Sequence, residues 1–354
     1  MSYGLFGPHA YRRLHVNYIL PFAAYGFPAW ARLGAAGTLA VTDDELIWAA
    51  ATLGDRKRSR PWSATLGASM EMRVATLRSA FVTPCAFCLT ASHTYTHELD
   101  DSEKRYVSYL LGGVSARLFA SRFFGAPYLV HYDAVLRASG RPVAGRRPDF
   151  VGVGIPPLSA RIIVEAKGTL GPSRSAVLRD AAEKAKSARA AARRRPRRLA
   201  WGHEAHFEGA MGGGFWGASL LDPPTDDLQF PELGELLLGY YLPLAVDLMD
   251  GEVTRVAGSG TSNWYARDIG DQGVQVAMRQ DIVEAAIARR ASTLVEICGL
   301  EVSEPVTEED GAAAETVSRV SSAPDQRPLW SRGDNFSSPG HVGHDGIAVR
   351  KLVG

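Results

Sequence analysis

Arg161-Ile162-Ile163-Val164-Glu165-Ala166-Lys167-Gly168 is the stretch on which the fold of this chain turns. Three β-branched residues in a row favour a strand, because branching at Cβ restricts χ1 and packs well on a pleated surface. Side chains alternate between the two faces of a strand. Ile162, Val164 and Ala166 therefore point one way, and Ile163, Glu165 and Lys167 the other. A carboxylate and an ammonium project side by side from the end of an apolar strand. Just upstream, Arg146-Arg147-Pro148-Asp149-Phe150-Val151-Gly152 predicts a short strand over 150–153 that brings Asp149 alongside. Two carboxylates on one face suit a hard divalent cation, and a neighbouring lysine can steady an attacking water or a developing charge.

Working outward, Asp100-Asp101-Ser102 supplies helix N-cap chemistry. Val107, Leu110, Leu111, Val114, Leu118 and Phe119 then recur at helical spacing, and Gly125 with Pro127 stops the helix. Glu103 lies four residues before Val107 and is expected on the same buried stripe. A strand follows over Tyr128 to Asp133, then a turn at Ser139-Gly140-Arg141-Pro142. After the Glu165 strand, Gly168 to Pro172 breaks the chain. Ser173 or Ser175 can cap a helix running to about Ala192, and Arg198 to Phe207 reads as a further strand. The predicted order is αβββαβ.

Pro148-Asp149 and Glu165-Ala166-Lys167, set in that order of elements, resemble the signature of the PD-(D/E)XK nuclease superfamily in its Glu form. The tripeptide Asp55-Arg56-Lys57 fits the same pattern but sits in a polar, basic segment that offers no strand. The resemblance covers residues 100 to about 210. It implies an α/β fold: a restriction-endonuclease-like αβββαβ core with a mixed central sheet, carrying N-terminal and C-terminal elaborations. It also implies that Asp149 and Glu165 ligate magnesium, with manganese as a substitute, and that the Ala166 carbonyl completes the site. Lys167 would position the attacking water, and Glu103 would add an acidic group from the preceding helix. The alternative role for Glu103 is to offset the helix dipole, as any first-turn acid does. The implied substrate is DNA, with RNA as the alternative, in restriction, repair or anti-phage defence. A catalytically idle core of the same fold that binds nucleic acid or a partner protein is the rival reading.

Two further groups bear on partners. Between Ser173 and Arg198, ten basic residues face two acidic ones, Asp180 and Glu183. One-signed charge of this kind suits phosphate-backbone contact, with Lys184 over the proposed site and Arg193, Arg194 and Arg195 beyond it. Cys85, Cys88, His93 and His97 have the spacing of a compact zinc site, and the alternative is small core residues on strands. If zinc binds there, the chain is a zinc-stabilised interaction protein. His203-Glu204-x-His206 lacks the helical i, i+4 spacing of zinc hydrolases and is expected to place its two histidines on opposite faces of a strand. Neither a G-x-S-x-G elbow nor a phosphate-binding P-loop is present.

Length and composition set the bounds. The 354 residues allow two domains or one elaborated domain, and a net charge of +1 confines any nucleic-acid contact to a local patch. Three cysteines argue against a disulfide framework and for a reducing cytoplasm. Arg12-Arg13 and the uncharged run from Leu14 to Ala31 have the outline of a secretory leader, but Asn17, Pro21, Pro28 and several tyrosines interrupt it. Leu236 to Val246 is too short to span a bilayer, so no membrane association is expected. The expected division is residues 1–99 as a recognition or regulatory region, 100–210 as the core, 211–300 as an α/β elaboration with a helix stopped at Pro243, and 301–354 as a largely disordered tail. His344 to Leu352 is expected to return as a short strand, and the regions outside 100–210 are expected to provide target recognition, regulation or dimerisation, with a homodimer or a partner protein as the assembly.

Overall fold

Thr42 opens the first helix with a reciprocal capping box: its hydroxyl accepts from the Glu45 N–H while the Glu45 carboxylate accepts from the Thr42 N–H. The same device recurs at Asp100 and Glu103, and Gly125 ends that helix in the left-handed region at φ 55°. In chain order the elements are β1 (Asn17–Tyr25), β2 (Ala36–Thr42), α1 (Asp43–Ala51), α2 (Gly67–Ala80), β3 (Phe81–Cys85) and β4 (Cys88–Ala91). A π-helical turn (Thr94–Glu98) leads to α3 (Asp101–Phe124), β5 (Tyr128–His131), α4 (Tyr132–Ala138), β6 (Phe150–Val153), β7 (Arg161–Gly168), α5 (Ser175–Lys186), β8 (Arg198–Phe207) and β9 (Trp216–Leu221). Then come α6 (Leu233–Met249), β10 (Thr254–Ala257), β11 (Asn263–Ile269), β12 (Val274–Arg279), α7 (Gln280–Ile287), α8 (Ala291–Ile297), β13 (His341–Val342) and β14 (Ile347–Lys351). This computed structural model describes residues 17–28, 31, 33–53, 67–85, 87–138, 140–143, 147–154, 161–186, 198–208, 214–222, 232–250, 252–257, 263–269, 273–300, 341–342, 345 and 347–351.

The fold is α/β around a mixed seven-stranded sheet of order β2-β1-β9-β8-β7-β6-β5. β7–β8 and β1–β9 run parallel, and the other pairs are antiparallel. Ile162, Ile163 and Val164 at its centre are all fully buried, because helices cover both faces. On one face α3 packs so closely that a Cβ on Gly168 would stand 1.8 Å from the Ser108 carbonyl oxygen. On the other, α5 lies against β8 at Gly202, where a Cβ would stand 2.5 Å from the Ala182 nitrogen. A five-stranded antiparallel sheet of order β10-β11-β12-β14-β13 follows, with α6 and α7 against it and α8 packed on those two helices.

The last described segment closes into the core. Asp345 is 1% exposed and pairs with the fully buried Arg117 of α3 at 3.0 Å. Its carboxylate also accepts from Trp48 Nε1 of α1 at 3.2 Å and from the Tyr240 hydroxyl of α6, while its carbonyl accepts from Tyr241. Charge in so dry a place is retained only when paired and hydrogen-bonded, and these partners tie three helices to the end of the chain.

Several expectations change. The sheet crosses the boundary drawn at residue 100, because β1 and β2 extend it beyond β9. The run weighed as a leader contains β1, a strand of that sheet. The strand expected to reach Asp133 ends at His131 and gives way to α4. Glu103 is exposed rather than buried: it lies in the first turn, its carboxylate bends back to the Asp100 N–H, and the buried stripe begins one turn later at Val107. α6 continues through Pro243 to Met249. The missing N–H and ring clash cost about 3 kcal/mol, but Leu236, Leu237, Tyr240, Tyr241, Leu244 and Leu248 are all buried, each worth about 1.5–3 kcal/mol. His344 to Leu352 does contain a strand, β14, paired antiparallel with β12. Residues 301–340, Asp55-Arg56-Lys57 and Arg193 to Arg195 lie outside the described residues. Among the described residues no helix is long and apolar enough to cross a membrane.

Candidate active site

β6 and β7 bring the two carboxylates together. Their ladder pairs Phe150 with Val164, so one step further along it Asp149 stands opposite Glu165. Directly opposed residues of an antiparallel pair have Cβ atoms about 5 Å apart on one face. Asp149 Oδ2 accepts from the Ala166 N–H at 3.1 Å, which turns its carboxylate across the mouth of β7. Arg147 pairs with Asp133, Nη2 to Oδ2 at 3.1 Å.

Glu165 is 3% exposed. Its Oε1 accepts from Lys167 Nζ and lies 3.5 Å from Lys184 Nζ, which descends from α5. Its Oε2 is buried and has no hydrogen-bond partner among the described residues. An anionic oxygen held in that condition is costly, and a cation against it removes the cost. Burial acts to lower the Lys184 pKa. The hydrogen bond to Asp180, 3.1 Å away, together with the charges of Glu165 and Asp180, outweighs it and holds the ammonium above its ordinary value. Lys184 is therefore a permanent positive charge at neutral pH rather than a proton acceptor.

The donor set fits a hard cation. Magnesium commonly takes one or two carboxylates and fills the remaining positions with water and substrate oxygens. Among the described residues no group of three or more His, Cys, Asp and Glu side chains has the spacing of an all-protein metal cage. Two carboxylates on neighbouring strands, as Asp149 and Glu165 are, match that smaller demand.

The remaining sequence candidates fall elsewhere. Glu103 caps α3 about five residues, or 7.5 Å of helix rise, before the Ser108 that abuts Gly168. It belongs to α3, and its carboxylate accepts from the Asp100 N–H at 2.9 Å, whereas Glu165 meets Lys184 of α5. Cys85 and Cys88 face each other across the β3–β4 hairpin, and Cys88 is disulfide-bonded, against the expectation of reduced thiols. A sulfur committed to a disulfide is not a thiolate ligand, so zinc at that spacing requires the reduced chain. The rings of His93 and His97 lie 4.8 Å apart between centroids, tilted by 39°, with the His93 side chain 75% exposed.

β8 separates its polar residues between two faces, as strand parity requires. His203 turns to α3, where Nε2 meets Ser115 Oγ at 2.8 Å, and burial lowers its pKa to about 3. Glu204 points the other way and is fully buried. It accepts from Ser173 Oγ at 2.7 Å, from the Arg174 N–H at 3.2 Å and from Thr169 Oγ1 at 3.3 Å. Burial pushes its carboxyl up, and these three donors pull it part of the way back. Sequence reasoning set Glu204 aside because it tested the four-residue stretch only against the zinc-hydrolase motif, whose spacing it lacks. The available signal was a lone acid inside the apolar strand Arg198–Phe207, since carboxylates are almost never buried without a partner. Comparison of the chain with family models, with curated proteins and with solved structures gave no match.

Proposed function

We propose that this chain is a metal-dependent nuclease with a restriction-endonuclease-like core, hydrolysing phosphodiester bonds in DNA. The observation that carries the reading is the meeting of Lys167 and Lys184 on Glu165, whose Oε2 is buried without a hydrogen-bond partner among the described residues, with Asp149 held on the neighbouring strand by the Ala166 N–H. Asp149 and Glu165 would hold a magnesium ion, or manganese in its place. When bound, the ion supplies Lewis-acid stabilisation of the phosphoryl oxygens and a more acidic water.

The chain's own residues do the rest. Lys167, two residues beyond Glu165 on the same face, is placed to hold the attacking water by hydrogen bonding and to direct it at phosphorus. Lys184 stays protonated and sets a fixed positive charge where the pentavalent transition state gathers negative charge. With substrate absent, both ammoniums neutralise Glu165. A phosphodiester entering the site offers them new acceptors, so their contacts strengthen as charge develops on the phosphoryl group. Arg174, just before α5, and Arg179 within it carry the basic character toward solvent, where it can meet the sugar-phosphate backbone without regard to sequence.

The test is cleavage of plasmid, single-stranded DNA and RNA with magnesium, manganese or EDTA, comparing wild type with Glu165→Ala. The expected result is metal-dependent cutting of DNA by wild type that the variant loses. Equal cutting by both proteins would overturn the site, and binding of DNA without cutting by either would favour an idle, nucleic-acid-binding core.

A further inference from the structure

We infer that Glu204 is a positioning residue for the proposed site: its carboxylate clamps the start of α5 and thereby holds Lys184 over Glu165. The kinetic part of this inference rests on the nuclease reading, whereas the clamp itself does not.

The loop between β7 and α5 must turn the chain from the sheet onto the helix that covers it. Its residues converge on one acid. Ser173 and Thr169 donate side-chain hydroxyls to Glu204, and Arg174, whose carbonyl accepts the first helical bond from Leu178, donates its backbone N–H. Backbone bonds fasten the same loop along β8: the Thr169 N–H to the Ala205 carbonyl at 2.8 Å, and the Phe207 N–H to the Gly171 carbonyl at 3.2 Å. A buried anion at the first turn also answers the partial positive charge that α5 concentrates there.

From that point α5 runs back across the sheet. Leu178 and Ala182 press on Gly202 of β8, which is the ladder partner of Glu165 on β7. Glu204 is likewise the ladder partner of Lys167. The clamp and the metal-binding strand therefore share one rigid ladder, and the helix carrying Lys184 is pinned to it at two places. Lys184 Nζ lies 3.1 Å from Asp180 and 3.5 Å from Glu165, whereas the donors to Glu204 are Ser173, Arg174 and Thr169. Glu204 thus acts on Lys184 through the placement of the helix. Loss of the clamp frees three donors at the turn and lets α5 lift, and a shift of about 1 Å in a site of this kind can cost 100-fold in rate.

The test compares Glu204→Ala, Glu204→Gln, Lys184→Met and the double variant Glu204→Ala with Lys184→Met. Glutamine keeps a carbonyl acceptor and removes the charge. Amide hydrogen exchange in the metal-free protein reads the clamp directly. In Glu204→Ala, the amides of 174–184 should exchange at least tenfold faster while those of β6 and α3 keep their rates, and Glu204→Gln should stay near wild type. In magnesium-dependent plasmid cleavage, Glu204→Ala should lower kcat by roughly tenfold to 100-fold with KM within about twofold. The double variant should cut no more slowly than Lys184→Met, because a residue acting through Lys184 has nothing further to remove. Unchanged exchange at 174–184 would overturn the clamp. Faster exchange with wild-type kcat, or additive losses in the double variant, would overturn its role in the site. If wild type fails to cut under every metal condition, the nuclease reading falls while the exchange data still decide the clamp. If Glu204→Ala does not fold, Glu204→Asp, whose shorter side chain withdraws the acceptor from the loop, carries the same comparison.

Discussion

Acidification from neutral pH to about pH 5 should weaken this fold through one histidine whose surroundings are fully specified. The imidazole of His203 is 0% exposed, with Nε2 on Ser115 Oγ and its ring 5.3 Å from that of Phe119. Burial, helped by the charge of His206, lowers its pKa from 6.5 to about 3. A depressed histidine is protonated in the unfolded chain well before it is protonated in the folded one. Its contribution is therefore complete above pH 6.5 and is lost progressively as the pH falls toward 3. Each pH unit in that window is worth about 1.36 kcal/mol. At about pH 5 the loss amounts to roughly 2 kcal/mol, a large share of a typical folding free energy. Burial lowers the His206 pKa as well, so its contribution has the same sign. Urea unfolding of wild type and His203→Gln at both pH values isolates the His203 share, because the comparison rests on the change with pH and not on absolute stability. The variant should lose less on acidification than wild type, by roughly 2 kcal/mol. Equal losses in both proteins would show that His203 is solvated or protonated in the native state, and would refute the reasoning.

Three other expectations concern separate parts of the molecule. Lys167→Ala should abolish cleavage while leaving DNA affinity intact in a gel-shift assay, since it removes a water-positioning group and no metal ligand; wild-type cutting by this variant would place the chemistry elsewhere. Changing Arg193, Arg194 and Arg195 together to Gln should lower DNA affinity and reduce the slope of log affinity against log salt by up to about 3, and an unchanged slope would remove that segment from the interface. Asp345→Asn leaves the buried Arg117 guanidinium without its counter-charge, so thermal or urea unfolding should show a loss of about 3–5 kcal/mol; a variant as stable as wild type would mean that water reaches the pair.

Much of the central frame was legible because it is written in local patterns. Capping residues announced α3, and Gly125 stopped it where a left-handed residue was needed. The β-branched run of β7 and the alternation in β8 fixed which residues share a face, and that parity put Glu165 with Lys167 and separated His203 from His206. Lys184 was expected over the site from charge and position, and its ammonium does reach Glu165.

What local pattern misled was wherever burial depends on partners far along the chain. Periodicity assigned Glu103 to the buried stripe, but the stripe is defined by where the sheet lies beneath α3, and the first turn stands beyond it. Pro243 is a helix breaker by local chemistry, yet the apolar packing of α6 outweighs its cost. Glu204 read as an orphan of a zinc motif because its three donors come from a loop some thirty residues earlier.

By itself the sequence determined the strand that carries Glu165 and Lys167, their common face, and the adjacency of Asp149. These follow from backbone alternation and from short-range pairing, which nearby residues specify. The tertiary structure alone decided that Glu165 lies buried with one oxygen unpartnered, and that β1 and β2 widen the sheet beyond the core. It also decided that Asp345 crosses the chain to meet Arg117, and that Glu204 fastens α5. Desolvation and hydrogen-bond partners are properties of a packed interior, assembled from segments whose meeting no local pattern encodes.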